Sequence, residues 1–133
     1  MATTLELDHV SLFVCDLDTS ARFYSEVLGL PEIEKKTARA NVRWFGLGAG
    51  RAIHLILGAP ELLPSRPRST HFALATSSFD EIVQQLADCG TAFQDLSGAL
   101  GQVSVRPDGV RQVYFQDPDG HWIEINDGPI CNG

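Results

Sequence analysis

The stretch "GHWIEIND", residues 120–127, reads as a β-strand with a carboxylate at its centre. Alternation along a strand puts Glu124 on the opposite face from Ile123 and Ile125. A buried carboxylate is costly unless it is paired, protonated or bound to a metal. The pattern therefore predicts a dedicated partner for Glu124.

The composition is that of an ordinary globular domain, and it argues against several classes of partner. The 133 residues suffice for one domain with its own core, and 44% of them are hydrophobic. A net charge of -7 argues against a nucleic-acid or anionic-membrane surface, and no apolar run reaches the length of a membrane span. Three cysteines without CxxC spacing and the lack of a visible signal peptide predict a cytoplasmic protein.

The predicted elements repeat along the chain. Residues 5–58 and 70–127 each read as strand, helix and further strands, and the proline-rich residues 59–69 read as a linker. The first helix is expected to be capped by Asp18 or Thr19, and the second by a capping box at Ser78. The predicted strands begin around His9 and continue at Glu32–Lys36, Asn41–Leu47, Arg51–Leu57, His71–Thr76, Thr91–Gln94, Val103–Arg106, Val110–Gln116 and Gly120–Asn126.

The repeat relates four polar residues in apolar strands. An offset of about 62 residues takes His9 to His71 in the first strand of each half. The last strands align as "AIHLI" and "WIEIN", which sets His54 against Glu124. If the halves are related by a pseudo-twofold axis, three imidazoles and one carboxylate meet at one point. This donor set suits a divalent transition metal. The remaining histidine, His121, follows the predicted turn Asp117–Gly120 and is expected to be exposed.

The two ends of the chain carry a family resemblance. The segments "LDHVSLFVCDLDTSARFYSEVLGL" and "VYFQDPDGHWIEIND" resemble the opening strand and helix and the closing hairpin of the vicinal oxygen chelate superfamily. That superfamily includes glyoxalase I, fosfomycin-resistance thiol transferases, extradiol dioxygenases and bleomycin-binding proteins. The resemblance implies an α+β fold, with two tandem βαβββ modules forming a cupped mixed sheet in one domain, residues 1–133.

The same resemblance implies a ligand set and an assembly. His9, His71 and Glu124 match ligands of the family, and His54 is either a fourth ligand or a group beside the metal. The expected cofactor is one divalent ion, with zinc, nickel, manganese and iron all open. Short members commonly form homodimers whose sites combine modules from two chains, and we expect the same here.

The resemblance also implies a chemistry. We expect a glyoxalase I-like lyase or isomerase that chelates a 2-oxo or hemithioacetal substrate and stabilises an enediolate, with Glu124 as base or as ligand only. Two glutathione contacts of bacterial glyoxalase I are replaced by Phe13 and Gly58, so the small-molecule substrate, possibly a thiol conjugate, stays open. The residues expected to contact an anionic substrate are Arg43, Trp44, Arg106 and Arg111.

Three alternative functions remain. The set His9, His71 and Glu124 also forms the two-histidine, one-carboxylate triad of non-haem iron dioxygenases. A fosfomycin thiol transferase is less favoured, because "RPDGVRQ" does not resemble the potassium loop of that branch. A bleomycin-resistance binding protein is disfavoured, because such proteins generally lack the metal ligands that this chain retains.

Overall fold

The computed structural model describes residues 3–58 and 66–130. Two compact units, residues 1–63 and 64–133, each contain one β-sheet. Most of the predicted linker, residues 59–65, lies outside the described residues, so the linker and module boundaries stay predictions. No helix in the described part of the chain is long and apolar enough to cross a membrane.

The first unit is a four-stranded mixed sheet with one helix. Its sheet order is β1-β4-β3-β2, and only β1 and β4 run parallel. The helix continues through a π-helical turn at Phe23–Val27. The elements are β1 His9–Val14, α1 Leu17–Arg22, β2 Glu32–Ile33, β3 Val42–Gly48 and β4 Arg51–Leu57.

The second unit repeats this plan with a divided edge strand. Its order is β5-β9-β8-β6, and β7 pairs with the same edge of β8 as β6 does. The elements are β5 His71–Ala75, α2 Phe79–Asp88, β6 Phe93–Gln94, β7 Ser104–Val105, β8 Arg111–Gln116 and β9 Trp122–Asn126. The α+β class and its two mixed sheets in tandem are as predicted.

The helix caps differ from the prediction. The first helix is capped by Asp16, whose Oδ1 accepts a hydrogen bond from the Thr19 N–H at 3.0 Å, because its extended backbone aims the short side chain at the helix start. Ser78 does precede α2, but its side chain makes no cap hydrogen bond, so the predicted capping box is wrong. Instead, the Ser78 N–H donates to Thr76 Oγ1 at 2.9 Å.

The repeat extends to the register of the strands. In the first unit, His54 of β4 lies opposite Ser11 of β1 on one side and Trp44 of β3 on the other. In the second unit, Glu124 of β9 lies in the same way between Ala73 of β5 and Tyr114 of β8. His9 and His71 lie two residues before Ser11 and Ala73, respectively, and therefore on the same face. The opposite faces form the apolar cores, with fully buried residues that include Val14, Ile53, Leu55, Val113, Phe115 and Ile123.

Candidate metal centre

In the second unit, His71 and Glu124 form a close pair on adjacent parallel strands. The His71 Nε2 atom lies 3.4 Å from Glu124 Oε1. Glu124 is buried, with 5% of its surface exposed, whereas the His71 side chain is about a quarter exposed at 26%.

A backbone carbonyl fixes the tautomer of His71. Its Nδ1 atom lies 2.8 Å from the Arg68 carbonyl oxygen, which can only accept a hydrogen bond. Nδ1 therefore carries the proton in the neutral ring, and Nε2 presents a lone pair towards Glu124. Metal-binding histidines use the same arrangement, with the second nitrogen donating to an oxygen.

Two acceptors thus face each other in this pair. A carboxylate oxygen and an unprotonated ring nitrogen repel unless a positive charge lies near both, either a proton on the ring or a bound cation. Two ligand atoms that bind one ion at about 2.0–2.2 Å lie roughly 3–3.5 Å from each other. The 3.4 Å separation fits both a protonated ring paired with the carboxylate and two ligand atoms on one ion.

The second Glu124 oxygen is held by hydrogen-bond donors. Asn126 Nδ2 donates to Oε2 at 2.7 Å, and the side chains of Gln112 and Tyr114 also donate to the carboxylate. Burial raises the pKa of Glu124, but these hydrogen bonds, together with the charge of His71 when its ring is protonated, outweigh it and lower the pKa below its ordinary value. Burial and the adjacent Glu124 raise the pKa of Tyr114 to about 12, so the phenol stays a donor.

In the first unit, three aromatic rings form a stack. His54 lies between His9, with ring centroids 4.1 Å apart and planes 15° apart, and Trp44, at 3.9 Å and 5°. His9 Nδ1 lies 2.7 Å from Asp8 Oδ2, which leaves its Nε2 with a lone pair. Burial is the main cause that lowers the pKa of His54, and the charge of a protonated His9 lowers it further. The His54 ring is therefore neutral at neutral pH.

The donors therefore occur as two pairs, one in each unit. Within either unit, the described residues form no group of three or more His, Cys, Asp or Glu side chains that could hold a metal. The arrangement within each pair nonetheless suits metal binding, because His9 and His71 each hold Nδ1 on an oxygen and Glu124 keeps one oxygen towards an imidazole. Neutral imidazoles and one carboxylate fit a divalent transition metal.

Three of the four residues predicted to contact substrate lie in ion pairs. Arg43 donates to both carboxylate oxygens of Glu32, at 2.7 and 2.9 Å, and to Asp18 at 3.0 Å. Arg106 pairs with Asp108. Arg111 joins Asp127 and Asp80, both at 2.8 Å, while Trp44 lies on His54. Their substrate contacts stay predictions.

Arg68 is a residue that the sequence reasoning assigned only to the linker. Its carbonyl accepts from His71, its guanidinium lies 5.3 Å from the Tyr114 ring centroid, and it donates to the carbonyl oxygens of Asp95, at 3.0 Å, and Leu96. It thus connects the His71 tautomer to the β6–β7 loop. A role that depends on a backbone carbonyl leaves no signal in the residue type. The only signal in the sequence is the position of Arg68, three residues before His71.

Phe13 and Gly58, which replace the expected glutathione contacts, touch each other. A Cβ atom added to Gly58 would lie 2.7 Å from Phe13 Cδ1, closer than real Cβ contacts allow. Phe13 shares its strand face with His9 and is 40% exposed. The ring therefore requires glycine at position 58.

A cavity of about 300 Å³ opens beside Tyr114 in the second unit. Its lining carries no charged side chain and includes Phe93, Gln94, Leu100, Gln116 and Trp122. The phenol ring of Tyr114 thus contributes to the cavity while its hydroxyl hydrogen-bonds Glu124. This volume suits the uncharged part of a small molecule.

His121 is buried rather than exposed as predicted. Only 3% of its surface is exposed, and its Nδ1 accepts a hydrogen bond from Arg66. The predicted turn before it is present, with the Gly120 N–H donating to the Asp117 carbonyl oxygen at 3.0 Å. The expectation of exposure was wrong, because this turn directs the imidazole inward.

Comparison with known proteins decides the family. The model of the Glyoxalase/Bleomycin resistance protein/Dioxygenase superfamily matches residues 6–125. The chain belongs to this superfamily. The resemblance to vicinal oxygen chelate proteins is thereby confirmed, and members of this superfamily are mostly metal-dependent enzymes that generally bind a divalent ion.

Relatives of this superfamily member have several activities. Glyoxylase I 4 of Arabidopsis thaliana is 32% identical over 126 residues, which cover 90% of this chain and 68% of that protein. The uncharacterized protein YwbC of Bacillus subtilis is 30% identical over 124 residues, 90% of this chain and 94% of YwbC. The structure of oxidase ChaP-H1 matches with a TM-score of 0.70 and 29% identity, over 95% of this chain and 98% of that one. Fosfomycin-resistance thiol transferases are also among the relatives.

Proposed function

We propose that the chain is a divalent-metal-dependent enzyme of the glyoxalase I type, a lyase or isomerase acting on a 2-oxo or hemithioacetal substrate. In this proposal His9, His71 and Glu124 hold the ion, and His54 is a fourth ligand or a neighbour. The observation that carries it is the close approach of His71 Nε2 to Glu124 Oε1, at 3.4 Å, with His71 Nδ1 held on the Arg68 carbonyl oxygen. The similarity to glyoxylase I 4 supports the reaction class.

The pair His9 and His54 belongs to the first unit, and the pair His71 and Glu124 belongs to the second. A metal site that uses both pairs therefore needs a first unit and a second unit. Members of the superfamily are commonly homodimers acting on small molecules. We therefore propose a homodimer in which the pair from one chain joins the pair from the other. Mixing the variants His9→Ala and Glu124→Ala tests this, since a shared arrangement restores one intact site per mixed dimer. Sites formed within single chains would give no recovery on mixing.

When bound, the ion supplies electrostatic stabilisation to negative charge that develops on neighbouring substrate oxygens. Glu124 is the base of the proposal. Its lowered pKa keeps it ionised at neutral pH, so it can accept a proton from one substrate carbon and return it to the adjacent carbon. Asn126 and Tyr114 hold the carboxylate in a fixed orientation during this transfer.

The substrate of the proposal differs from a glutathione conjugate. Phe13 packed on Gly58 offers an apolar surface on the face that carries His9. The uncharged lining of the cavity beside Tyr114 favours a neutral group in the second unit. A hemithioacetal of a smaller thiol, or a 2-oxo compound without a thiol, fits these surfaces better.

The direct test is elemental analysis of protein purified without an affinity tag, together with turnover of methylglyoxal mixed with different thiols. We expect bound divalent metal, and activity that falls about 100-fold or more in Glu124→Gln. Glu81→Gln, an exposed carboxylate on α2, is the matched control and should retain full activity. Metal-free protein, or a Glu124→Gln variant with unchanged turnover, would overturn the proposal.

Oxygen chemistry is the second candidate, and the 29% identity to oxidase ChaP-H1 favours it. The donors His9, His71 and Glu124 form the triad of non-haem iron oxygenases. Oxygen consumption by the iron-loaded protein, with no turnover under nitrogen, would select this function. Equal turnover under nitrogen with nickel or zinc would exclude it.

A further inference from the structure

We infer that His54 positions the His9 ring by stacking and does not itself bind the ion. The inference rests on the proposed metal function for its consequence, but its geometric basis lies wholly within the first unit. It decides between the two roles that the sequence left open for His54.

The sheet order places His54 in the middle of the stack. Strand β4 lies between β1 and β3, so His54 has His9 on one side and Trp44 on the other. The ring planes are nearly parallel on both sides, at 15° and 5°. Both faces of the His54 imidazole are thus covered by aromatic rings.

This arrangement conflicts with joint ligation by His9 and His54. The lone pair of an imidazole nitrogen lies in the ring plane, and the ion lies along it at about 2.0–2.1 Å. Two planes tilted by only 15° with centroids 4.1 Å apart, stacked face to face, do not meet so close to both nitrogens. Only one of the two rings can therefore bind the ion.

His9 is the ring that is prepared for ligation. Its Nδ1 is held 2.7 Å from Asp8 Oδ2, which leaves the lone pair of the neutral ring at Nε2. The Asp8 carboxylate restrains the ring within its plane, and His54 restrains it from one face. Ligands fixed by such supporting contacts bind metal more tightly than mobile ones.

Trp44 holds the far side of the stack. Its indole Nε1 is buried and has no hydrogen-bond partner among the described residues. The indole plane therefore follows the His54 ring, at 5°, and no hydrogen bond from Nε1 sets its orientation. The Trp44 and His54 rings together support His9 from one face.

The test compares two substitutions that separate stacking from ligation. His54→Phe keeps an aromatic ring but cannot bind metal, whereas His54→Glu can bind metal but cannot stack. In nickel titrations of the metal-free protein, we expect His54→Phe to stay within about threefold of wild-type affinity and His54→Glu to lose about 10-fold or more. Retention by His54→Glu together with loss by His54→Phe would overturn the inference.

A metal-free measurement keeps the inference independent of the proposed function. Ring stacking shifts the His9 side-chain proton resonances upfield, and we expect this shift in wild type and in His54→Phe but not in His54→Glu. Trp44→Leu, which removes the far ring, should reduce the shift, and Trp122→Phe serves as the control. If wild type binds no nickel, the metal function fails while the resonances still decide the stack. Identical His9 resonances in wild type and His54→Glu would refute it.

Discussion

Two equivalent positions, His54 in the first unit and Glu124 in the second, have the same register but opposite surroundings. Around His54, the neighbouring positions on its sheet face are Val42, Trp44 and Ile56; around Glu124 they are Gln112, Tyr114 and Asn126. The first set offers an apolar and aromatic environment, and the second offers hydrogen-bond donors. The same backbone therefore supports a neutral ring in one unit and a charged group in the other.

The difference shows how burial selects the side chain. A carboxylate at position 54 would face no donors comparable to those of Glu124, so its desolvation would not be offset. An imidazole at position 124 would leave three donors short of an acceptor. A carboxylate suits position 124 and an aromatic ring suits position 54, so the two units of the repeat differ in chemistry because their neighbours differ.

The largest expected effect is on stability when Glu124 is made apolar. Glu124→Leu leaves the side chains of Gln112, Tyr114 and Asn126 without their acceptor, so we expect a loss of about 3 kcal/mol in the free energy of unfolding of the metal-free protein. His54→Leu loses only stacking and should cost about 1 kcal/mol. Urea denaturation measures both, and equal losses would remove the asymmetry between the two positions.

The next largest effect on stability is expected at the glycines that follow β4 and β9, Gly58 and Gly128. In Gly58→Ala the new Cβ meets Phe13, so we expect a loss of about 1–2 kcal/mol. At the equivalent Gly128, an added Cβ would lie 3.0 Å from the Asn126 side-chain oxygen and 3.8 Å from Val110 Cγ1, so Gly128→Ala should cost less. Adding Phe13→Ala should restore most of the Gly58→Ala loss in thermal unfolding, and an unchanged loss in the double variant would show that Phe13 is not the cause.

A smaller effect is expected from Arg68, which supports only the second pair. Arg68→Ala removes the anchors to Asp95 and Leu96 that hold the carbonyl accepting from His71. We expect metal affinity to fall about 5–10-fold, with the His71 tautomer becoming mixed in long-range proton–nitrogen spectra of the metal-free protein. Arg39→Ala, an exposed arginine, is the control. A pure Nδ1–H tautomer in Arg68→Ala would contradict the anchoring role.

The smallest effect is a pH dependence of the difference between wild type and Glu124→Gln. The pKa of Glu124 is lowered from 4.5 in the folded state, so its charge stabilises the fold above that pH. This contribution is lost as the pH falls through the folded pKa, where the wild-type side chain becomes protonated and resembles glutamine. Melting temperatures of the metal-free proteins should therefore converge as the pH falls from 4.5 through the lowered pKa of the folded protein. A difference that stays constant to pH 3 would contradict the lowered pKa.

Much of the fold was readable from the sequence, whereas the gathering of His9, His54, His71 and Glu124 round one ion stays a prediction. Alternating apolar residues set the strands, and the offset between His9 and His71 revealed the repeat, because register and periodicity are properties of residue order. The register puts His71 on the same sheet face as Glu124, two residues before Ala73, the residue opposite Glu124.

The unpredicted features depend on backbone groups and ring orientation. Every residue type has the same backbone carbonyl group, so the contact of the Arg68 carbonyl with His71 could not be predicted from the residue type. The stack of Trp44 on His54 needs the pairing of β3 with β4 and the ring angles as well. The burial of His121 depends on the direction in which a turn leaves the strand.

The central claim is that one ion takes donors from both pairs, and a nickel titration of the metal-free protein tests it most directly. We predict one equivalent of tightly bound nickel per chain in wild type, and loss of that single site in His9→Ala and equally in Glu124→Ala. Two equivalents per chain, or wild-type affinity in either variant, would contradict the account.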